Sequence, residues 1–567
     1  MGYFGTNSEL PTLIPFRAGQ LTGFYEAGKL RYLRIGETEV LRMIYPAIRD
    51  RNWETAPAQI TNEKLSIEAD SFSIEYTARY QLNEVDYQAN YRIAGDTNGS
   101  LSIEMHGEAL STFWRNRIGL CVLHPIEPCT GKPVVITHPD QSKTQRIFPD
   151  LISPHQPFFD VQGMAWSPVE GMEIQLDFEG DVFETEDQRN WTDNSYKTYS
   201  TPLAVPYPVE IQVGERLYQK LDLQWSVSSG AVDLALENEI EISLSGSTLP
   251  FPALGTGAVQ PTISTELLEQ FKALPLDYFS VPLHLDQDAW QTDLEKAVAQ
   301  AKALNKKIAL SAFFTHKADW IKLADALSIH IDVLLQLCVL SATEKVPDVD
   351  LMEATYAGVK SRFPELPVGF GTDGFFTALN RNRPETTQFD FLQFSINPQV
   401  HAVDARTMIE NLSTQREVVL TAQSFAAGKP LCVSPISLRP RHTPDPADAI
   451  DPRQHSSFAA AWMLISLKYL APCAALTYFE AIGEKGLFPE DLSQTPLLEH
   501  LQQIAQFQPV KILDTRSNSP LEVELLLLEN AKGEQLAFWV NFSNKVQKLT
   551  FEDRSIELAP ESIRVQA

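Results

Sequence analysis

At 567 residues the chain exceeds what one hydrophobic core organises, so its length points to about three domains. With 44% hydrophobic, 10% aromatic and 21% charged residues it reads as globular rather than disordered. A formal net charge of −27 repels phosphate backbones and anionic lipid, which argues against nucleic acid and bare membrane as partners. Met1 to Pro15 lacks the basic segment and apolar core of a secretory signal, and no stretch approaches the ~18 apolar residues of a membrane helix. The five cysteines (Cys121, Cys129, Cys338, Cys432, Cys473) are scattered without CxxC spacing, so reduced thiols are expected rather than a disulfide framework or a zinc knuckle. A cytoplasmic location follows as the expectation.

Residues 1–245 alternate at period two in one segment after another, among them Leu30–Ile35, Lys64–Ala69, Ser71–Tyr76, Ser100–Met105 and Met172–Phe178. Many strands with no helix between them predict a large N-terminal β-sandwich. Two polar-dense segments break the alternation and are read as loops, Ile152–Phe158 and Glu184–Lys197.

Across 246–507 the rhythm changes to eight short apolar runs: Phe251–Gly257, Phe279–Leu285, Ile308–Phe313, Ile331–Leu340, Val368–Gly371, Phe391–Ile396, Leu431–Ile436 and Ala475–Phe479. Amphipathic stretches lie between them: Ser264–Ala273, Ala289–Leu304, Lys317–Ala326, Leu351–Phe363, Asp404–Ala427 and Ser456–Leu470. This alternation predicts a central (β/α)8 barrel, preferred to a doubly wound sheet because the first turn has no GxGxxG. Asn380-Arg-Asn-Arg-Pro384, after the fifth run, reads as loop with little helix. Residues 508–567 return to alternation over Leu521–Leu528, Gln535–Phe542, Val546–Phe551 and Ser555–Leu558, predicting a small C-terminal β-domain.

Barrel chemistry sits at the carboxyl ends of the strands. Those positions carry Asp286, His316, Asp373 with Asn380 downstream, Asn397 and His401, Arg439 and Arg441, and Tyr478 with Glu480. Glu480 is the first candidate for proton transfer, because a carboxylate after Ala-Leu-Thr-Tyr-Phe would enter an apolar mouth where desolvation favours acid or base duty. The bland alternative is a surface glutamate. Asp373, between two glycines, is the second carboxylate, unless it only closes an Asx turn. His401 is a candidate acid, base or ligand, against a purely structural histidine. Arg439 and Arg441 flank a proline, and their guanidinium forks suit a carboxylate or an oxyanion; a salt bridge to Asp373 or Glu480 is the plainer reading. No HxH or HExxH occurs, so a metal site is only weakly signalled, His284, His316, His401, Asp286 and Glu480 converging only through folding; no metal or other cofactor is expected, and without Gly-x-Ser-x-Gly a serine-esterase mechanism is unsupported.

Longer strings are more specific. Arg31-Tyr-Leu-Arg-Ile-Gly36, Ile48-Arg-Asp-Arg-Asn-Trp53, Phe113-Trp-Arg-Asn-Arg-Ile-Gly119, Val122-Leu-His-Pro125, Phe148–Phe158 and Phe178–Asp193 resemble the N-terminal region of the D-apionate lactonase family. The similarity continues through Asn380–Pro384, Ser395–His401, Leu438–Arg441, Asp451-Pro-Arg-Gln454 and Thr477–Glu480. The resemblance spans nearly the whole chain and implies a three-part architecture and hydrolysis of a branched aldonolactone. Ala481-Ile482 and Glu484-Lys485 depart from the family's pattern.

The expected function is therefore a hydrolase opening D-apionolactone or a close aldonolactone. Glu480 or Asp373 would activate water, Arg439 or Arg441 would hold the oxyanion, and His401 would protonate the leaving group. Arg441, Asn397, Tyr478 and Asn380 are expected to bind substrate, joined by Glu186, Asp187, Arg189, His155 and Lys197 if the polar sandwich loops reach the mouth. The competing reading of those loops is a buried polar interface that only fixes the two domains together, with Arg189 paired to Asp187 or Asp193. A glycoside hydrolase with paired carboxylates is the first alternative function. Leu340-Ser-Ala and Ile436-Ser-Leu stand where the commonest barrel glycosidases carry glutamates, which counts against it. A non-catalytic carbohydrate-binding protein is the second.

Overall fold

The computed structural model describes residues 2–5, 10–228, 239–258, 265–443 and 445–567. Ser264, at the start of one predicted helical stretch, lies outside them. The chain forms two compact units: Glu9–Arg189 with Asn194–Glu237, and Met1–Ser8 with Asn190–Asp193 and Asn238–Ala567. The short segment Asn190–Asp193 thus belongs to the same unit as the barrel, although the strands on both sides of it belong to the sandwich.

The first unit is the predicted sandwich. Two nine-stranded sheets are formed among its described residues. Strands Phe72–Leu82, Val85–Asp96 and Ser100–Ala109 bury alternate residues, as a sheet with one face on a core requires. Strand Ala58–Ile67 departs from that pattern. It lies at a sheet edge and is exposed along nearly its whole length. The segment Glu184–Lys197, expected as a loop, is mostly a hairpin: Phe183–Asp187 pairs with Ser195–Tyr199, and a 3-10 turn, Gln188–Trp191, starts the crossing.

The second unit contains a closed barrel of eight parallel strands: Ala253–Gly257, Tyr278–His284, Lys307–Phe314, Leu334–Ser341, Val368–Phe375, Phe391–Ile396, Leu431–Ile436 and Ala475–Tyr478. Its interior is filled, not open. The Tyr278 and Phe391 rings occupy the inside, and each needs a glycine on the neighbouring strand. A Cβ at Gly255 would lie 2.3 Å from the Tyr278 ring, and one at Gly369 would lie 2.3 Å from the Phe391 ring. Above them the lining turns polar: Gln393 donates to Ser311 at 2.9 Å, and Tyr278 shares a hydrogen bond with Thr477. The fifth crossover contains a short helix after all, Phe376–Arg381.

The tail forms a seven-stranded sheet that also takes in Ile240–Pro250, antiparallel to Pro509–Ser517 and parallel to Gln547–Phe551. The predicted boundary after residue 245 falls inside that strand. Glu524 of the tail sheet is bound by Lys468 and Tyr469 of the buried barrel helix Ser457–Tyr469. No helix among the described residues is long and apolar enough to cross a membrane.

Candidate active site

A cavity of about 380 Å³ opens at the carboxyl ends of the third to fifth barrel strands. Phe313, Ser341, Asp373 and Phe375 line it from the strand ends, Arg381 from the short helix, and Trp191 from the inserted segment Asn190–Asp193. An aromatic wall with a few converging polar groups at this end of a barrel is the usual form of a small-molecule site.

Asp373 and Glu344 are the carboxylates of that cavity, and Asp373 is the one at a strand end. Arg441 Nη2 donates to its Oδ1 at 2.9 Å and to its backbone oxygen at 2.7 Å, while His442 Nε2 lies 2.9 Å from Oδ2. Ser395 Oγ holds the adjoining Gly374 carbonyl at 2.9 Å. The plainer reading of Arg441, a salt bridge to Asp373, is the arrangement found. Asp373 is not closing an Asx turn with its own loop; its charge is answered by a guanidinium.

His401 follows the sixth strand. Its Nδ1 lies 2.6 Å from Asp193 Oδ2, and Asp193 Oδ1 accepts from Asn411 Nδ2 at 3.2 Å. The Trp191 ring meets the His401 ring edge to face at 6.0 Å and also meets the cavity-lining Phe375 at 6.0 Å. Trp191 therefore joins the histidine to the cavity wall. The other imidazole nitrogen, Nε2, has no hydrogen-bond partner among the described residues. Asn380, buried on the short helix, donates to Asn190 Oδ1 at 2.9 Å and accepts from Arg383, so it fastens the inserted segment.

Arg439 Nε donates to Asp451 Oδ2 at 3.3 Å, and its terminal nitrogens have no partner among the described residues. Asp451 is the hub there, taking Arg453 Nε and Nη2 at 2.8 and 2.7 Å and Gln399 Nε2 at 2.6 Å. Burial alone would raise its carboxyl, yet the Arg453 and Gln399 hydrogen bonds hold it below the usual carboxylate range. Asn397 uses its oxygen on the Gln399 amide at 3.0 Å, and its buried Nδ2 is unpaired among the described residues.

Other predicted residues lie elsewhere. Glu480 is not part of the cavity wall; its side chain is 54% exposed and paired with Lys485 at 2.7 Å. Phe479 adopts a left-handed φ of 60°, which turns the chain so that Glu480 begins a short ribbon with Gly486–Phe488 instead of extending the strand. The desolvation expected of it is absent. Tyr478 is buried and donates to Ser466 Oγ of the barrel helix at 2.9 Å, so it faces away from the barrel's interior. In the sandwich unit, Arg189 is fully buried and spends its fork on Asp187 at 2.9 and 2.8 Å and on the Pro149 and Asp150 carbonyls. Of the two pairings weighed for Arg189, the one with Asp187 is formed, inside the sandwich unit. Glu186 and Lys197 pair with each other at 3.3 Å, and His155 is exposed.

Trp191, Asn411 and His442 were not singled out by sequence reasoning, and Asp193 was named only as a partner for Arg189. The signal for Trp191 and Asp193 was the polar string Glu184–Lys197, which marked the hairpin without saying which residue mattered. Among the described residues no three His, Cys, Asp or Glu side chains are grouped to hold a metal ion.

Two models of one protein family match the chain, "D-apionate lactonase, N-terminal domain" over residues 1–228 and "D-apionate lactonase, TIM barrel domain" over residues 254–509. The D-apionate lactonase of Brucella anthropi is 26% identical over 491 residues, covering 81% of each chain. Among solved structures, an alpha-L-arabinofuranosidase from Thermotoga maritima aligns over 58% of this chain and 97% of its own, at 9% identity and a TM-score of 0.43. A GH30 endoxylanase from Clostridium papyrosolvens aligns over 57% and 98%, at 13% identity and a TM-score of 0.40.

Proposed function

The chain belongs to the D-apionate lactonase family, and from that premise we propose that it hydrolyses a sugar lactone, D-apionolactone or a close aldonolactone, to its aldonic acid at the barrel mouth. Ester hydrolysis needs a base for the attacking water, a donor for the oxyanion and an acid for the leaving alkoxide. His401 supplies the first and the last. Its Nε2 takes a proton from water as the water oxygen bonds to the lactone carbonyl carbon. When the ring carbon–oxygen bond breaks, the same nitrogen returns that proton to the alkoxide. One water is consumed and one hydroxy acid is formed.

Arg439, with terminal nitrogens not engaged by described residues, is the donor to the oxyanion. Asp373, which lines the cavity and is held by Arg441, hydrogen-bonds the sugar hydroxyls, and Trp191 packs its ring against the sugar. The observation that supports this reading is the state of His401: Nδ1 is committed to Asp193 while Nε2 has no partner among the described residues, beside an aromatic wall of the cavity. Glu480, exposed and ion-paired, takes no proton-transfer role.

The test is turnover of D-apionolactone, followed by acid release at constant pH, beside turnover of an aryl arabinofuranoside. Lactone opening well above the spontaneous rate, with the glycoside untouched, is the expected outcome. Glycoside cleavage without lactone opening would replace this reading with the glycosidase one.

A further inference from the structure

Building on the proposed role of His401, we infer that Asp193 is the positioning residue that decides which imidazole nitrogen reacts, and that Asn411 fixes how it does so. A carboxylate only accepts hydrogen bonds, so the contact of 2.6 Å between Asp193 Oδ2 and His401 Nδ1 requires the imidazole hydrogen on Nδ1. The neutral ring then carries its lone pair on Nε2, the nitrogen without a partner among the described residues. Asp193 and Asn411 are both buried, at 6% and 2% exposure, so neither trades these bonds for water. When Nε2 takes a proton from water, the carboxylate beside Nδ1 stabilises the imidazolium that forms.

Asn411 makes the arrangement one-directional. Its Nδ2 donates both to Asp193 Oδ1 at 3.2 Å and to the Pro398 carbonyl at 2.9 Å, which fixes the amide's orientation. An acceptor is therefore obligatory on the Asn411 side of residue 193. In Asp193→Asn, a change that keeps the side chain's shape, the new amide must turn its oxygen to Asn411 and its nitrogen to His401. Nδ1 then has to accept, the ring hydrogen moves to Nε2, and that nitrogen no longer has a lone pair for the water proton. The substitution inverts the tautomer without emptying the site.

The device spans the chain. His401 lies 208 positions after Asp193, and Asp193 sits in a four-residue piece of the hairpin crossing that belongs to the barrel unit. Proton transfer in the barrel thus depends on a residue carried there between two sandwich strands.

The experiment uses the full chain with 15N-labelled histidine, as wild type and as Asp193→Asn, with His401→Gln to assign the His401 ring signals. The expected wild-type spectrum has the hydrogen on Nδ1, and the variant has it on Nε2. Lactone turnover in the variant should fall by roughly 10²–10⁴-fold in kcat with KM within about twofold, the split of a lost transition-state interaction rather than lost binding. A wild-type hydrogen on Nε2, or an unchanged tautomer in the variant, overturns the positioning role. An inverted tautomer with undiminished kcat instead overturns the proposed role of His401, and this inference with it. The wild-type spectrum needs no variant, so a misfolded Asp193→Asn protein would still leave the tautomer decided.

Discussion

Among the described residues of the barrel unit two histidine–aspartate pairs are formed, and their surroundings separate them. The side chains of His401 and Asp193 are 17% and 8% exposed, whereas those of His442 and Asp373 are 72% and 28% exposed. The contact to Asp193 runs through Nδ1, with Asn411 holding the other carboxylate oxygen; the contact to Asp373 runs through Nε2, with Arg441 on the other oxygen. The second carboxylate already faces a full positive charge, and water reaches its histidine freely. Exposed pairs of that kind are worth ~0–1 kcal/mol. A neutral amide beside Asp193 orients it without cancelling its charge, which leaves that charge for the imidazole. A histidine next to a carboxylate is thus no sufficient mark of a proton-transfer site; what else the carboxylate touches separates the two.

That contrast breaks first at His401. His401→Gln should lower kcat for lactone opening by at least ~10³-fold in a folded protein, as general base and acid are lost together; titration of released acid measures it. Next in size is the buried Arg189–Asp187 pair of the sandwich unit. Arg189→Met takes the guanidinium away from the buried Asp187, which still accepts from the Ser153 amide at 3.0 Å, and should cost about 3 kcal/mol of stability, because a buried ion pair is broken from one side. Urea unfolding checks it, and an unchanged midpoint with altered KM would return Arg189 to the substrate-binding set. His442→Gln, on the exposed pair, should change kcat/KM by no more than about fivefold. A loss as large as that of His401→Gln would reverse the ranking of the two pairs.

A third histidine sharpens the comparison, because it is buried with no carboxylate at all. His124 sits in the sandwich against Phe148 and Trp166 with Thr198 at 2.9 Å, and burial pushes its imidazole from 6.5 down to about 3. The folded state therefore refuses a proton that the unfolded chain accepts. Its contribution is complete above pH 6.5 and is lost as pH falls from there toward 3, at up to about 1.4 kcal/mol per pH unit. His124→Gln should unfold less steeply with acid than wild type across that window, by thermal melts at stepped pH; parallel acid profiles would contradict it. The smallest expected effect is at Glu480, where Glu480→Gln should leave kcat within about threefold, since an exposed ion pair contributes little.

The barrel was legible in the sequence because strands buried on both faces read as apolar runs; Phe391–Ile396 and Leu431–Ile436 form with the predicted bounds. The short helix Phe376–Arg381 was not, since six residues carry little periodicity and Asn380 is held by Asn190, a residue far away in the chain. Candidate strand ends were found, but not the direction of their side chains. Tyr478 ends the eighth strand and Glu480 follows it, yet one packs on a helix and the other is turned out after Phe479. Asp193 was the hardest to see, because pairing it with His401 depends on tertiary structure that no local pattern encodes.

Chemical rescue tests the account's central claim, that His401 Nε2 carries the proton, most directly. His401→Ala should open D-apionolactone at least ~10³-fold more slowly than wild type, and added imidazole should restore part of kcat along a saturating curve that follows the free base. A His401→Ala protein that turns the lactone over at the wild-type rate and ignores imidazole would contradict it.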